Sequence, residues 1–323
     1  MKTTVIIPNY NGKDFLEDCL LSLQKCEPAD FAVLVVDNGS TDESRKMLAE
    51  KFPDVSCLAL SENTGFSGAV NVGILEAETE YVILLNNDTK VEKEFVRSLE
   101  DAISIDKKRF SVSAKMVCMQ QPDILDGTGD LYCALGWAFA LGKGKPSAKS
   151  YTKNGRVFSA CAGAAIYRTD LLKELGLFDE NHFAYLEDVD IGYRARIHGY
   201  YNYYEPKAIC QHAGSGFSGS RYNEFKVSLS SKNSIYLIYK NMPILQILIN
   251  LPFLLIGFLI KILFFIKKGF GKAYFMGLMK GIGFCFSREA HKHKTHYKLQ
   301  NTGSYLRIQA QLWWNMIRRL ILF

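Results

Sequence analysis

Residues 81–88 read YVILLNND, in which five residues typical of a buried strand are followed by two asparagines and an aspartate. A strand in the core has no use for three consecutive polar side chains, so the strand is expected to end where they begin. In a parallel sheet, ligands bind beyond the carboxyl ends of the strands. The stretch therefore predicts a central strand and a candidate site at Asp88.

The segments around this stretch alternate between strand and helix patterns. Three further apolar runs, TTVIIP, FAVLVVD and VSCLAL, are separated by helical patterns in KDFLEDCLLSLQKC, DESRKMLAEKF and SGAVNVGILEAE. Continuous Val, Ile and Leu runs between helices indicate an α/β fold with a parallel sheet covered on both faces. The carboxyl edge of that sheet would carry Pro8-Asn9-Tyr10, Asp37-Asn38-Gly39-Ser40 and Asn86-Asn87-Asp88.

Any one of these polar strand ends has a purely structural explanation. Asp42 fits a helix N-cap, and the glycines at 65, 68 and 73 match neither a Walker loop nor a dinucleotide fingerprint. Three polar ends on one edge of one sheet favour a binding site over three independent turns.

The length and composition of the chain limit where it works. Its 323 residues allow a substantial core, and its eight scattered cysteines contain no C-x-x-C pair. That spacing argues against a zinc site or a disulfide framework and favours a reducing compartment. The N-terminal apolar run is too short for a signal peptide, so we expect the chain to fold and stay in the cytoplasm.

The net charge of +6 hides a division between an acidic body and a basic tail. Residues 241–323 hold twelve Lys and Arg against one acid, Glu289, whereas residues 1–240 carry a net charge of −5. Such asymmetry points to a negatively charged partner, either nucleic acid or an anionic membrane surface. The Leu, Ile and Phe content of the tail favours the membrane and argues against nucleic acid.

The tail contains a stretch that is long enough to cross a bilayer. Residues 244–266 read ILQILINLPFLLIGFLIKILFFI, although Gln246, Asn250 and Lys261 interrupt the apolar run. The last segment, SYLRIQAQLWWNMIRRLILF, has one apolar helical face, and its paired tryptophans suit a headgroup interface. We expect the tail either to span the membrane or to lie in its plane. A helical subdomain packed on the body or on another subunit is the alternative.

The second half of the body places three acids at the start of a predicted helix. In FAYLEDVDIGYRARIHGY (183–200), Glu187, Asp188 and Asp190 precede two arginines. The helix dipole favours one acid there, but three exceed what capping needs, and crowded carboxylates raise one another's pKa. That crowding suits a general base. His212 lies further on, before a glycine-rich stretch predicted to be flexible, and a lone histidine is more often structural than a metal ligand.

Six motifs, taken in order, resemble those of inverting family 2 glycosyltransferases, in the rhamnosyltransferase-like branch. They are VIIPNYNG, VVDNGSTD, NTGFSGAVNVGI, LLNNDT, GAAIYRTDLLKELGLFDENHFAYLEDVDIGYRARIHGY and HAGS. The resemblance covers residues 3–220 and implies a GT-A fold, a Rossmann-like nucleotide-binding half fused to an acceptor-binding half. The expected domains are a glycosyltransferase domain at 1–235, with halves at about 1–115 and 116–235, and a helical membrane-associated tail at 236–323.

The resemblance implies a donor site at the sheet edge. There the first strand would line the nucleoside pocket, Asp37 would accept the N3 proton of the base, and Asn63 with the glycine loop would lie beside the nucleotide. The residues expected to bind the nucleotide sugar are Pro8, Asn9, Tyr10, Asp37, Asn63, Gly65, Gly68, Asn86, Asn87 and Asp88.

The resemblance also assigns a metal and a base. Asn86-Asn87-Asp88 takes the place of the family's D-x-D, so Asp88 would bind a divalent metal, Mg²⁺ or Mn²⁺, at the donor diphosphate. Asn86 stands where the first aspartate is expected, which puts the metal affinity in doubt. His212 matches the position of a further metal ligand in some relatives, Asp188 would be the catalytic base, and Glu187 would orient the base or the acceptor.

The implied activity is transfer of a sugar, L-rhamnose by branch resemblance, from a dTDP- or UDP-sugar to a hydroxyl of a cell-surface glycan or a lipid-linked acceptor. The tail would hold the enzyme at the cytoplasmic face of the cell membrane. A sugar-phosphate nucleotidyltransferase is one alternative, but PNYNGKDF stands where that class has a glycine- and arginine-rich loop. A non-catalytic nucleotide-sugar-binding scaffold is the other, and the presence of both Asp88 and Asp188 argues against it.

Overall fold

A computed structural model describes residues 1–214 and 222–322 of the chain. Its strands are β1 (Thr3–Asn9), β2 (Ala32–Asp37), β3 (Ser56–Ala59), β4 (Tyr81–Leu85), β5 (Thr89–Val91), β6 (Arg109–Cys118), β7 (Gln121–Gly127), β8 (Asp130–Cys133), β9 (Trp137–Ala140), β10 (Gly155–Val157), β11 (Ala164–Arg168) and β12 (Tyr201–His212). Its α-helices are α1 (Lys13–Leu23), α2 (Ser44–Lys51), α3 (Gly65–Glu76), α4 (Phe95–Ser104), α5 (Thr169–Glu174), α6 (Glu187–Ile197), α7 (Glu224–Asn241), α8 (Ile244–Lys267), α9 (Gly271–Cys285), α10 (Arg288–Lys292) and α11 (Thr302–Leu322).

One mixed sheet organises the body, in the order β10-β12-β6-β11-β4-β1-β2-β3. The four strands predicted from the N-terminal sequence form its parallel half, because β1 pairs with β2 and β4, and β2 pairs with β3. Antiparallel β11 joins this half to β6, which is parallel to β12. The predicted α/β fold with a mostly parallel sheet and helices on both faces is confirmed.

The central strands are apolar throughout because both faces of the sheet are covered. Val5 and Ile7 of β1 pack into a core with helices α1, α2 and α4. Ile6, between them, packs into a second core with α3, α5 and α6. Successive side chains of a strand point to opposite faces, so a strand buried on both sides reads as a continuous apolar run.

A third core joins the body to the tail. Leu131 and Tyr193 of the body pack with Leu237, Leu254 and Leu312 of α7, α8 and α11. The predicted boundary at 235/236 therefore falls inside α7, and the helices on its C-terminal side share buried side chains with the acceptor half. That residues 1–235 and 236–323 are separate domains stays a prediction.

Helix α8 is, within the described residues, the one helix long and apolar enough to cross a bilayer. It packs on the body through a narrow stripe that includes Gln246, Asn250 and Gly257. Gln246 accepts a hydrogen bond from the Tyr193 hydroxyl (2.8 Å), and the Gly257 carbonyl accepts one from the Trp137 indole (3.1 Å). The polar residues that interrupt the apolar sequence thus face protein, and large apolar side chains cover the exposed side.

Candidate active site

A chain of hydrogen bonds connects the carboxyl ends of three neighbouring strands. The Asn87 amide donates to Asn9 Oδ1 (2.7 Å), and the Asn9 amide donates to Asp37 Oδ1 (3.3 Å) and to Ser40 Oγ (3.3 Å). Asn9 and Asp37 are buried although both side chains are polar. The polar strand ends predicted from the sequence therefore meet at one edge of the sheet.

The glycine loop at the start of α3 lies against this edge. Asn38 donates to Asn63 Oδ1 (3.0 Å) and to the Gly65 carbonyl (3.0 Å), which ties the loop to the end of β2. Gly65 has φ +77°, and a Cβ there would lie 2.5 Å from the Phe183 carbonyl oxygen. Only glycine fits this close approach, which brings the N-terminal end of α3 against the loop that precedes α6. Gly68 lies in the first turn of α3.

Strand pairing brings His212 to Asp88. β5 pairs with β12 so that Thr89 is opposite His212, which places the neighbouring Asp88 carboxylate 3.3 Å from His212 Nε2. The other ring nitrogen, Nδ1, lies 2.7 Å from Asp126 Oδ2, and Asp126 also bonds Lys143. We call this group of Asp88, His212, Asp126 and Lys143 the donor end of the site. The glycine-rich stretch predicted to be flexible after His212 lies largely outside the described residues.

Cations and anions alternate at the donor end. Burial alone would lower the pKa of His212, but hydrogen bonds to Asp126 and Asp88 outweigh it and raise the pKa to about 9. Burial likewise opposes ionisation of Asp126, yet His212 and Lys143 hold the pKa of that carboxyl well below its usual range. Both side chains are therefore charged near pH 7 unless a cation displaces the proton of His212.

The residues at the donor end fit a divalent metal. Asp88 supplies a carboxylate, and His212 would supply Nε2 once a bound metal displaces the proton from that nitrogen, while Asp126 holds the opposite ring nitrogen as carboxylates do for metal-bound histidines. A carboxylate with an imidazole suits Mn²⁺ better than Mg²⁺, which favours oxygen ligands alone. Asn86 lines the neighbouring pocket and adds no carboxylate.

Helix α6 presents the predicted acids after a strained loop. Phe183, Tyr185 and Leu186 all have φ between 62° and 69°, in the left-handed region that side chains other than glycine rarely adopt. Asn233 of α7 holds this loop, because its amide lies 2.8–2.9 Å from the carbonyls of residues 182, 184 and 185. Strain held in place by surrounding structure is typical of functional sites.

The first two acids of α6 form a cluster with Asp130. Asp130, Cys161 and Asp188 bring side-chain atoms within 4.8 Å of one another. Burial raises the pKa of Asp188 to about 6, although backbone N–H groups of Val189 and Ala162 oppose the shift. We call Glu187, Asp188 and Asp130 the base end of the site.

Among the described residues no cation forms an ion pair with the acids at the base end, and Lys143 offsets the raised pKa of Asp130 only in part. Burial, and then the charge of Asp188, raise the pKa of both Glu187 and Asp130. Oε2 of Glu187 is buried, and within the described residues it has no hydrogen-bond partner. A carboxylate oxygen in that condition can accept a hydroxyl of a bound molecule.

The third acid, Asp190, lies outside this cluster. It is fully buried, and it bonds Arg194 (2.8 Å), Lys240 (2.8 Å) and the amide of Asn241 (2.7 Å). These cations hold its pKa well below the usual range despite burial. Asp190 therefore fixes α6 to α7, and it is no substitute for Asp188 as a base.

One pocket of about 540 Å³ brings the two ends together. Its wall includes Asn86 and His212 from the donor side, Glu187 and Asp188 from α6, and Lys261 from the tail. Asp88 is not part of the pocket wall, but it lies beside His212, which is. Pro8 and Tyr10, at the end of β1, are also outside the wall of the pocket.

Sequence reasoning missed two carboxylates of this site, Asp126 and Asp130. Both occur in DGTGD (126–130), where β7 ends and β8 begins. Two acids flanking a glycine turn at a strand end are the same kind of signal as NND, and that signal was available in the sequence.

Known proteins resemble this chain over part of its length. A poly-beta-1,6-N-acetyl-D-glucosamine synthase of Staphylococcus aureus is 24% identical over 209 residues, which are 64% of this chain and 48% of the synthase. A teichoic acid poly(glycerol phosphate) polymerase of Staphylococcus epidermidis is 33% identical over 94 residues, 28% of this chain and 13% of the polymerase. The chain therefore spans at most about half the length of these relatives.

Among solved structures, GalNAc-T7 with UDP, GalNAc and Mn²⁺ has the same fold, with a TM-score of 0.60 and 17% identity over 74% of this chain and 47% of that one. The fold is thus GT-A. A family model described as glycosyl transferase family 2 matches residues 4–176, more than half of the sequence. The chain belongs to glycosyl transferase family 2.

Proposed function

We propose that this protein is an inverting glycosyltransferase that moves a sugar from a nucleoside-diphosphate donor to a hydroxyl of a cell-surface glycan or lipid-linked acceptor. One observation carries the proposal: a single pocket joins His212, and through it Asp88, to the paired acids Glu187 and Asp188. Glycosyl transfer needs such a combination, because a diphosphate must leave while a hydroxyl loses its proton.

The donor end would bind the nucleotide sugar. Asn9, Asp37 and the loop from Gly65 to Gly68 would hold the nucleoside and ribose, and Asp88 with His212 would hold the divalent metal, which we propose is Mn²⁺. That metal, when bound, neutralises charge on the departing diphosphate. Asp126 would orient His212, since it bonds the ring nitrogen that points away from Asp88.

The base end would take the proton. Asp188 removes it from the acceptor hydroxyl as the oxygen attacks the anomeric carbon, on the side of the sugar opposite the diphosphate. That direction of attack inverts the configuration, and it requires one protein base where a glycosidase uses two carboxyl groups. Glu187, whose Oε2 lacks a partner among the described residues, would accept a second hydrogen bond from the acceptor.

The donor that we propose is a UDP-sugar. GalNAc-T7 was solved with UDP, and the synthase relative makes a polymer of N-acetyl-D-glucosamine, which supports this choice. The rhamnosyltransferase-like resemblance implied dTDP-rhamnose, and that donor is the competitor in the test below. A nucleotidyltransferase is not favoured, because the family match covers residues 4–176.

We further propose that the tail lies in the plane of the cytoplasmic leaflet. α8 is about 36 Å long and is attached to the body near both ends, through Gln246 and through Phe265. It cannot cross a bilayer without drawing the body in with it. Its exposed leucines and isoleucines, with the basic residues of the tail, fit hydrophobic insertion into an anionic surface.

Vesicle flotation tests the membrane proposal. Leu255 and Leu259 are exposed on α8, and replacing both with serine should lower partition onto phosphatidylglycerol vesicles about 100-fold, since each buried leucine is worth about 1.5–3 kcal/mol. Leu21→Ser with Leu75→Ser, two exposed leucines of the body, is the matched control. Equal flotation of both double variants would contradict the proposal.

A thermal-shift screen followed by a hydrolysis assay tests the activity. UDP-sugars with Mn²⁺ should stabilise the protein, by about 2.7 kcal/mol at a concentration of 100 Kd, and dTDP-rhamnose should stabilise it less. Labelled UDP-sugar should then be hydrolysed slowly without acceptor. If no nucleoside diphosphate raises the melting temperature, the proposed activity is wrong. A larger rise in melting temperature with dTDP-rhamnose would favour dTDP-rhamnose as the donor.

A further inference from the structure

A second cavity, of about 750 Å³, adjoins the active-site pocket. The two share wall residues from the β9 hairpin and the tail, among them Phe139, Lys143, Ser234 and Lys261. The second cavity then continues between the hairpin and helices α8 and α9, where Trp137 and Tyr274 join its wall. We call this second cavity the tail groove. It forms a continuous path from the base end to the tail.

The tail groove is positively charged where it meets the active-site pocket. Its described wall contains Lys143, Lys261 and Arg319 and no carboxylate. Lys143 bonds Asp126, and Arg319 lies over the ring of Phe139 (5.2 Å). Lys261, whose amine lies 5.8 Å from the Trp137 ring, forms no ion pair with any described residue. This mouth therefore fits an anion.

The far side of the tail groove is apolar and opens onto the proposed membrane face. Ile260 and Phe264 of α8 line it, and both side chains are exposed. Phe265 stacks on Tyr274 of α9 with ring centroids 4.8 Å apart, which closes the groove from below. A hydrocarbon chain leaving this cavity would pass directly onto the exposed apolar side of α8.

We propose that the tail groove binds the phosphate group and first part of the hydrocarbon chain of a lipid-linked acceptor. The inference rests on the proposed glycosyltransferase activity. Lys261 and Arg319 would bind the phosphate or diphosphate, Ile260 and Phe264 would contact the lipid, and the sugar end would extend to Asp188. The donor diphosphate is assigned to Asp88 and His212, so Lys261, which forms no ion pair with a described residue, is the cation placed to bind a second anion.

Farnesyl diphosphate is a suitable probe, because it joins a diphosphate to a short hydrocarbon chain. Calorimetry on the full chain in mild detergent should show that it binds at least about ten-fold more tightly than farnesol or inorganic pyrophosphate, each of which offers half of the contacts. Lys261→Ala and Arg319→Ala should each weaken binding about ten-fold. Lys280→Ala, an exposed lysine of α9 outside the groove wall, is the matched control and should change nothing.

Three results would contradict the proposal that the tail groove binds a lipid-linked phosphate. Equal affinity for farnesol would mean that the cations take no part, and equal affinity for pyrophosphate would assign the site to a soluble anion. Unchanged affinity in Lys261→Ala would place the lipid elsewhere, and Lys261→Gln repeats the test if the alanine variant does not fold. UDP binding, measured on the same samples, should be unaffected by Arg319→Ala, because Arg319 lines the tail groove and not the active-site pocket. If wild type binds farnesyl diphosphate but no UDP, the proposed activity fails while the groove stands.

Discussion

The donor end and the base end of the pocket are both built from carboxylates, but their surroundings are opposite. At the donor end, His212 and Lys143 lie against Asp126 and hold its pKa well below the usual range. At the base end, burial raises the pKa of Asp188 to about 6, and no cation among the described residues forms an ion pair with it. The same chemical group is therefore kept ionised in one place and left able to take a proton in the other.

This difference fits the two roles proposed for the ends of the pocket. A carboxylate that must orient a metal-binding histidine gains from staying ionised, whereas a base needs a pKa close to the working pH. Environments that push the pKa values of nearby carboxylates apart are a general sign of distinct roles. Each variant below removes one member of one end and asks whether the other end keeps its function.

Asp188→Asn should have the largest effect. The amide keeps nearly the same shape, so binding of UDP with Mn²⁺ should survive, but the proton acceptor is lost and the turnover number should fall ~10²–10⁴-fold. Steady-state kinetics measure the fall, and calorimetry with UDP checks that the donor end is intact.

Glu187→Gln is the control for this change. It removes a neighbouring acid on the same turn of α6 and should lower turnover far less, if Glu187 only orients the acceptor. Near-normal turnover in Asp188→Asn, together with a lower melting temperature, would reduce Asp188 to a helix-capping residue, worth about 0.3–1 kcal/mol.

Asp88→Ala should abolish the contribution of Mn²⁺ to UDP affinity, a loss of at least about 100-fold, since even outer residues of metal sites cost 10–100-fold. In EDTA the variant and wild type should bind UDP equally weakly. Asp88→Asn, which preserves volume at this buried position, guards against a folding defect. The outcome against the proposal is an unchanged Mn²⁺ dependence, which would make Asp88 a cap for the following segment.

The sequence was sufficient for the parallel half of the sheet because each strand there is buried on both faces and joined by a helix. Polar residues after an apolar strand drew attention to Asp88, crowded acids drew attention to Glu187 and Asp188, and only the family resemblance favoured His212 as a metal ligand; the roles of these residues stay predictions. The strand register that places His212 opposite Thr89 depends on β5 and β12, which are 110 residues or more apart, and local patterns do not encode it.

The tail shows a different limit. Its amphipathic pattern predicted an apolar face and a polar face on α11, but it did not show which face meets the body. In the structure, Leu306 and Trp313 are exposed, whereas Asn315 donates to the Tyr132 carbonyl (2.9 Å) and Gln311 bonds Arg196. Ile308 and Leu312 are buried on the same side as Asn315, so the body meets a second apolar stripe of α11, and the apolar face predicted from the sequence stays exposed.

Asp126→Asn should have a smaller effect, confined to the donor end. The asparagine can still accept a hydrogen bond from His212 Nδ1, but it lacks the charge that strengthens this bond. The affinity for Mn²⁺ should therefore fall about 10-fold in Asp126→Asn and up to ~100-fold in Asp126→Ala. Turnover at saturating Mn²⁺ should stay close to wild type. Were turnover to fall while Mn²⁺ affinity held, Asp126 would belong with the base end.

Substitution of Asp130 should have the smallest and most specific effect, because it should shift the pH dependence of turnover more than it lowers the maximal turnover. The groups that face Asp188 are Asp130, Glu187, Cys161 and Tyr167. Burial and the charge of Asp188 raise the pKa of Asp130, so Asp130 keeps its proton and donates it in a hydrogen bond that lowers the pKa of Asp188. In wild type, turnover should rise as the pH increases through about 6, because the base must be ionised to act.

Asp130→Ala removes that hydrogen bond, so the pKa of Asp188 should rise and the acid limb of the pH profile should move to higher pH, with turnover near pH 8 little changed. Asp130→Asn keeps a hydrogen-bond donor at the same position and should leave the acid limb near the wild-type pH. A purely structural role for Asp130 would not predict this difference between the two variants. Initial rates across the pH range, at saturating UDP-sugar and Mn²⁺, measure both limbs. If the acid limb moves to lower pH in Asp130→Ala, Asp130 is ionised beside Asp188, and the proposed hydrogen bond from protonated Asp130 to Asp188 is wrong.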